Sequence, residues 1–397
     1  MAGLYVHIPF CKSKCGYCGF YSLPSVKLKD RFLEALKAEI VARKDYLKRG
    51  CHCGLDPQSP PLDDNDPSTE IIGTIYFGGG TPSLLNVDEI RDLLKRIADH
   101  FDLVKNPEIT LEANPDTLSP VYLEALRDIG INRLSIGIQS FFDNDLQYLG
   151  RKHNAEHARQ CLVWAKQAGF DNLSIDLIYG LPTSDAEQWS RNLDLFFEAD
   201  LPHLSAYALT LEPNSILTRQ IELGETVPLN EEDALRDYEI LCRRAAENQF
   251  LHYEISNFCR SGRHSKHNAS YWFGTPYLGL GPSAHSFDGK SRQWNVASVE
   301  KYCARIPEPA EVPVFEKEQL STEQLYDEYV MLRLRTHWGI DLKWLKREMG
   351  ERFSNYCEQQ AQPLLREGRI TQTREFLHLN DQQMLFADGV AEALFWE

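Results

Sequence analysis

Hydrophobic positions in the first two-thirds of the chain follow two alternating periods. Short apolar runs at 4–9, 71–77, 108–113, 133–139, 173–179 and 203–209 have the length and composition of strands. Between them, over 29–47, 87–100, 121–129, 156–168 and 186–197, apolar residues recur at the three-to-four spacing of a helix with one buried face. Strand, helix and strand at these distances form right-handed crossovers between parallel strands. Six such units fall short of the eight that close a barrel. The pattern therefore predicts an α/β fold built on a partial, TIM-like (β/α)6 barrel, with function in the loops that follow the strand C-termini.

The remaining pattern divides the chain. Residues 51–70 hold four prolines and five acids with almost nothing to bury, which predicts a disordered insertion in a 1–230 core. A helix over 231–247 starts at the cap residue Asn230, with Asp233 three positions on. Residues 252–287 are rich in His, aromatics and Gly and show neither period. A 231–315 connecting region of this kind is expected to carry function. From Ser321, a cap with Gln324 at the capping-box position, helices are predicted at 323–336, 342–352 and 358–367. A hairpin at 370–380 and a closing helical piece complete a small α+β, winged-helix-like domain over 316–397.

Composition narrows the class of partner. The 397 residues carry 42 Lys and Arg against 58 Asp and Glu, a formal charge of -16. The densest basic runs, 27–48 and 343–347, alternate with acids as solvated helix faces do, so nucleic acid is not an expected partner. No run of 18 apolar residues exists, so an integral membrane protein is not expected. The first 15 residues show no secretory leader, and a cytoplasmic, reducing location is the expectation. There, ten cysteines point to metal or redox chemistry, not to a disulfide scaffold. Cys51, Cys53, Cys161, Cys242, Cys259, Cys303 and Cys357 lack ligand spacing with a third partner.

Cys11, Cys15 and Cys18 form C-x3-C-x2-C on the loop after the first strand. Three thiolates this close suit a [4Fe–4S] cluster with one iron left open. A zinc site would need a fourth ligand, and His7, the nearest candidate, points along a strand. Three buried thiols in a turn are the plainer alternative. With Tyr17 before the last cysteine, the motif resembles that of the radical S-adenosylmethionine (SAM) superfamily, which implies a partial (β/α)6 barrel and SAM chelated on the open iron. FGGGTP after strand two, LEANP at strand three, SIGIQSF, LGRKHN and DLIYGLP extend the likeness to the oxygen-independent coproporphyrinogen III oxidase group over essentially the whole chain. By that resemblance Tyr5, Tyr17, Gly79, Gly80, Thr81, Glu112, Gln139, Arg151, Asp176 and Ala208 occupy nucleotide positions. Read alone, Glu112 or Asp176 could simply pair with Arg133 or Arg151.

Two departures separate the chain from the oxidases. Phe20 stands where they carry a fourth cysteine, and the chain begins only ten residues before Cys11, without their N-terminal extension. Both features resemble the haem-chaperone branch of the group, which bears H-N-x-x-Y-W. Here that motif is His267-Asn268-Ala269-Ser270-Tyr271-Trp272. The resemblance implies haem as a third cofactor, held with help from His267, and transfer to an acceptor protein, for which a membrane-associated respiratory protein is one class. His264, His252, His285 and Cys259 are alternative ligands, and a loop histidine beside a Trp packing the domain junction is the bland reading. Oxidative decarboxylation of coproporphyrinogen III and a zinc-stabilised structural role are the rival functions. Whether the chain is an enzyme stays open at this point.

Overall fold

A computed structural model describes residues 1–47, 70–213, 215–304 and 315–397. The expected 51–70 insertion, with Cys51 and Cys53, lies outside the described residues except Glu70, which is buried beside the N-terminal amino group at 3.5 Å.

The core strands are β1 (Ala2–Ile8), β2 (Ile72–Gly79), β3 (Leu103–Ala113), β4 (Arg133–Gln139), β5 (Leu173–Tyr179) and β6 (His203–Ala208). They pair in chain order and all in parallel. The helices between them are α1 (Lys29–Ala42), α2 (Val87–His100), α3 (Pro120–Asp128), α4 (Asp143–Tyr148), α5 (Ala155–Gln167) and α6 (Ala186–Glu198). The six-unit partial barrel expected from periodicity is the observed one. Its core is Val, Ile, Leu and Phe from the strands against the apolar stripes of the helices, such as Ile90, Leu93 and Ile97 of α2. Local chemistry sets the helix starts. Asn86 and Glu89 form a full capping box on α2, and Ser119 caps α3 with Pro120 at its first position. Helix α1 ends five residues earlier than expected, at Ala42, where the amide of Arg43 closes on the Glu39 carbonyl.

Helices α7 (Ile216–Glu222) and α8 (Glu231–Glu247) follow β6. The Asn230 side chain caps α8 through the amide of Glu232, and Asp233 does not complete a box. The 252–287 stretch read as irregular is in fact structured. It holds β7 (Leu251–Glu254), β8 (Asn257–Cys259), α9 (Lys266–Trp272), β9 (Tyr277–Leu280) and β10 (His285–Phe287), and β11 (Ser291–Asn295), α10 (Val299–Ala304) and β12 (Phe315–Gln319) follow. These strands extend the core sheet on both sides, β8 beside β6 and β9 beside β1, to twelve strands. Among the described residues of 231–315 the strands belong to the core sheet, which runs past the expected boundary at 316 through β12.

The C-terminal domain has its own core, from Tyr326 to Leu394. It comprises α11 (Thr322–Leu334), with the expected Ser321–Gln324 capping box, then β13 (Ile340–Asp341), α12 (Leu342–Met349) and α13 (Glu351–Arg366). The hairpin β14 (Thr371–Thr373) and β15 (Phe376–His378) and helix α14 (Ala387–Glu392) close it. Among the described residues no helix is long and apolar enough to cross a membrane.

Candidate functional site

The three cysteines lie on a loop that leaves β1 at the C-terminal end of the barrel. The loop is tied at its base, where Cys11 N–H donates to the Leu23 carbonyl (2.9 Å) and Leu23 N–H to that of Pro9 (2.7 Å). Its tip is stitched to α4 and α7. Gly16 N–H reaches the Leu149 carbonyl, and Leu217 N–H reaches that of Gly16. Tyr17 packs into a small apolar cluster with Leu149, Ile178 and Leu217. Cys11, Cys15 and Cys18 are half-buried and free of disulfides. Desolvation pushes the Cys18 thiol above its ordinary value.

Two donors aim at these sulfurs. Thr81 Oγ1 donates to Cys11 Sγ at 3.5 Å, and Arg151 Nη1 donates to Cys15 Sγ at 3.3 Å. Asn114 joins the two, its Nδ2 donating to Thr81 and its Oδ1 accepting from Arg151 at 2.7 Å. Asn114 was not singled out from sequence, although its place in LEANP, two residues after Glu112, is the available signal. Such donors stabilise thiolate sulfur and tune a cluster bound there. Among the described residues no group of three His, Cys, Asp or Glu is placed to hold a single metal ion, the triplet included. Three thiols on one ordered loop suit a multi-iron core.

Near the C-terminal ends of the strands, polar side chains of β1, β2, β3 and β5 converge. Glu112 Oε1 accepts from the Tyr76 hydroxyl (2.8 Å) and Oε2 from Gly79 N–H (3.1 Å), so its partners are neither Arg133 nor Arg151. Burial raises its carboxyl from 4.5 to about 7. Asp176 is raised too by desolvation, and it accepts from Ser135 Oγ at 3.2 Å. Tyr5 stacks on Tyr76 at 6.1 Å and its hydroxyl meets His7 Nδ1 at 3.3 Å. Gly79 adopts φ +109°, and a Cβ there would lie 2.6 Å from the His7 ring. At Gly80 a Cβ would meet the Phe10 carbonyl at 2.7 Å. The glycines are required by the crowding of β1 as well as by any ligand. Gln139 is non-glycine at φ +70°, at a register shift between β4 and β5. The bulge re-aims a strand-end side chain at the cost of backbone strain, as functional sites often do. Ala208 ends β6 beside Tyr179. Of the ten positions expected to meet a nucleotide, Gly79, Glu112, Gln139 and Ala208 lie at or beside strand C-termini, Gly80 and Thr81 just after β2, Tyr5 and Asp176 inside β1 and β5, Tyr17 on the cysteine loop and Arg151 after α4.

His267 is not among them and is not displayed to solvent. It sits on α9 at the opposite end of the barrel, 1% exposed. Its Nδ1 bonds Thr74 Oγ1 at 2.7 Å and its Nε2 bonds the Tyr271 hydroxyl at 2.8 Å. In this conformation both ring nitrogens of His267, the expected haem ligand, are engaged in hydrogen bonds within the protein. His252 is also enclosed, stacked on Phe258 at 4.1 Å, and burial holds the Cys259 thiol up at about 12. His264 and His285 differ. They are half-exposed and exposed, and no hydrogen bond to their ring nitrogens is found among the described residues. His264 borders a cleft of about 300 Å³ with Glu108, Asn132, Arg263 and Lys266.

Sequence and structure comparisons agree with this geometry. Residues 5–196 match the Radical SAM superfamily, and residues 320–386 match the HemN C-terminal domain. The chain is 34% identical over 396 residues to the heme chaperone HemW of Mycobacterium tuberculosis, covering 99% of this chain and 94% of the relative. It is 31% identical over 405 residues to the heme chaperone HemW of Bacillus subtilis, with 100% of each covered. Among solved structures it is similar to the coproporphyrinogen III oxidase (HemN) of Escherichia coli, a radical SAM enzyme. The TM-score is 0.82 at 23% identity, over 99% of this chain and 90% of that one. At that identity the likeness is one of fold.

Proposed function

The chain belongs to the heme chaperone HemW family of radical SAM proteins, and on that premise we propose that it binds haem and hands it to an acceptor protein. Cys11, Cys15 and Cys18 would hold a [4Fe–4S] cluster that, together with SAM, would supply reductive chemistry at the sulfonium. This chain's residues bind and orient. Arg151 and Thr81 hold the sulfurs of Cys15 and Cys11, Glu112 and Asp176 receive hydroxyl and amino donors of the nucleotide, and Tyr17 closes one wall.

The observation that carries the chaperone reading over the oxidase reading is Phe20. Where the oxidases have a fourth thiol, this chain presents a phenyl ring 72% exposed beside the cluster loop. Leu211 and Ile216, 40% and 51% exposed on the segment after β6, add apolar surface on the same rim. Exposed apolar groups in this number at a loop rim mark a surface for a partner or a flat ligand. For haem iron, His264 and His285 are, of the histidines weighed from the sequence, the two with no hydrogen bond to either ring nitrogen among the described residues. A cytoplasmic location fits the same reading.

Anaerobic reconstitution followed by metal and sulfide analysis tests the first half, and incubation with coproporphyrinogen III, SAM and reductant tests the second. Iron and sulfide in equal amounts and no protoporphyrinogen IX are expected. Zinc without sulfide, or turnover of the tetrapyrrole, would overturn the reading.

A further inference from the structure

A chain of contacts runs from the HNxxYW helix to the Glu112 carboxylate. The His267 ring lies 5.0 Å from that of Tyr76 at 25° and 6.5 Å from that of Tyr5 at 27°, both stacked. Thr74 and Tyr271 hold its two nitrogens, and Gly3 leaves room for it. A Cβ at Gly3 would sit 3.1 Å from His267 Cε1. Tyr76 in turn donates to Glu112, and the other oxygen of Glu112 receives Gly79 N–H. One imidazole therefore supports the ring that orients the carboxylate that anchors the glycine loop.

We propose that His267 is a positioning residue of the SAM site: its ring is the floor on which Tyr76 and Tyr5 rest, and through Tyr76 it fixes the Glu112 carboxylate. The inference rests on the nucleotide reading of the residues around Glu112 and not on the haem reading. Its chemistry suits the part. Burial lowers the imidazole to about 3, so it stays neutral at every working pH and adds no charge beneath two buried carboxyl groups. A flat neutral ring bonded at both nitrogens is held from two sides, by Thr74 of β2 and by Tyr271 of its own helix. Without it, Tyr76 loses its stacking partner and a cavity opens beneath the ring. Helix α9, which carries this ring, also packs against α11 of the C-terminal domain.

The test compares SAM affinity and haem affinity in reconstituted full-length protein. His267→Ala is expected to weaken SAM about tenfold, the loss typical when an outer partner of a ligand-holding group is removed. His267→Phe keeps the stack and should stay within about threefold of wild type, since it loses only the two hydrogen bonds. Both variants should titrate with haem to an unchanged Soret band. SAM affinity equal to wild type in the alanine variant overturns the proposal, as does a Soret band lost or shifted while SAM affinity holds. Should the alanine variant not fold, His267→Leu fills the volume without a flat face or ring nitrogens. It must weaken SAM with cluster content intact, and unchanged affinity again overturns the proposal. If wild type itself takes up no haem, the chaperone reading fails while the SAM comparison still decides this one.

Discussion

At the scale of single residues, the site is governed by carboxylates held in a place that disfavours their charge. Desolvation raises Glu112 to about 7, the Asp176 charge adds to it, and hydrogen bonds from Tyr76 and Gly79 only partly offset both. The folded protein therefore keeps a proton on Glu112 that the unfolded chain releases above 4.5. Between pH 4.5 and 7 the native state binds more protons, so stability falls as pH rises and levels off above 7. Glu112→Gln removes that slope, which is worth up to about 3 kcal/mol over the window. Denaturant unfolding of the SAM-free protein from pH 5 to 8 measures it. Curves that stay parallel for the two proteins would count against a buried, protonated Glu112. The residues legible in the sequence were those whose role is local. Three cysteines in eight positions and glycines after a strand announce themselves. The surroundings of His267 were not legible, because they are assembled from Gly3, Thr74 and Tyr76, about 190 or more residues away in sequence, which no spacing rule reaches.

At the scale of elements, long segments with one partner face were readable and short ones were not. Strands β4 and β5 and helices α2 and α8 fall at the expected boundaries, because each carries a full period and a clear cap or break. Strands β8 and β10 have three residues each, too few for an alternation to show, and β8 pairs with β6, some fifty residues earlier. What holds the added strands is a buried tie from α1. Glu39, fully buried, accepts from Tyr302 Oη (2.6 Å), Gly281 N–H (2.7 Å) and Asn295 Nδ2 (2.7 Å), with Arg43 at 3.7 Å. Glu39→Ala strands these donors and leaves Arg43 buried without its counter-charge, a change expected to cost about 3–5 kcal/mol. Amide exchange should then rise first in β9 to β11 while β3 to β5 keep their protection. A loss under about 1 kcal/mol, the scale of an ordinary hydrogen bond, would show that the tie is not what anchors this flank.

At the scale of the whole molecule, the partial barrel puts the cysteine loop and the Glu112 carboxylate toward one end and the HNxxYW helix toward the other. Helix α9 joins that far end to a C-terminal domain with its own core. The barrel follows from repeated strand and helix periods. The wide twelve-stranded sheet does not, because β7 to β12 reach it by returning to both edges after the repeats are finished. Function follows the same division, with cluster chemistry legible from spacing and the haem seat dependent on which imidazoles the fold leaves free. The most direct measurement is an anaerobic haem titration of the cluster-loaded protein, followed through the Soret band. A single saturable transition, persisting when SAM is present, is the expected result. A Soret signal that grows without saturation, as haem alone does in buffer, would contradict a haem-carrying role for this chain.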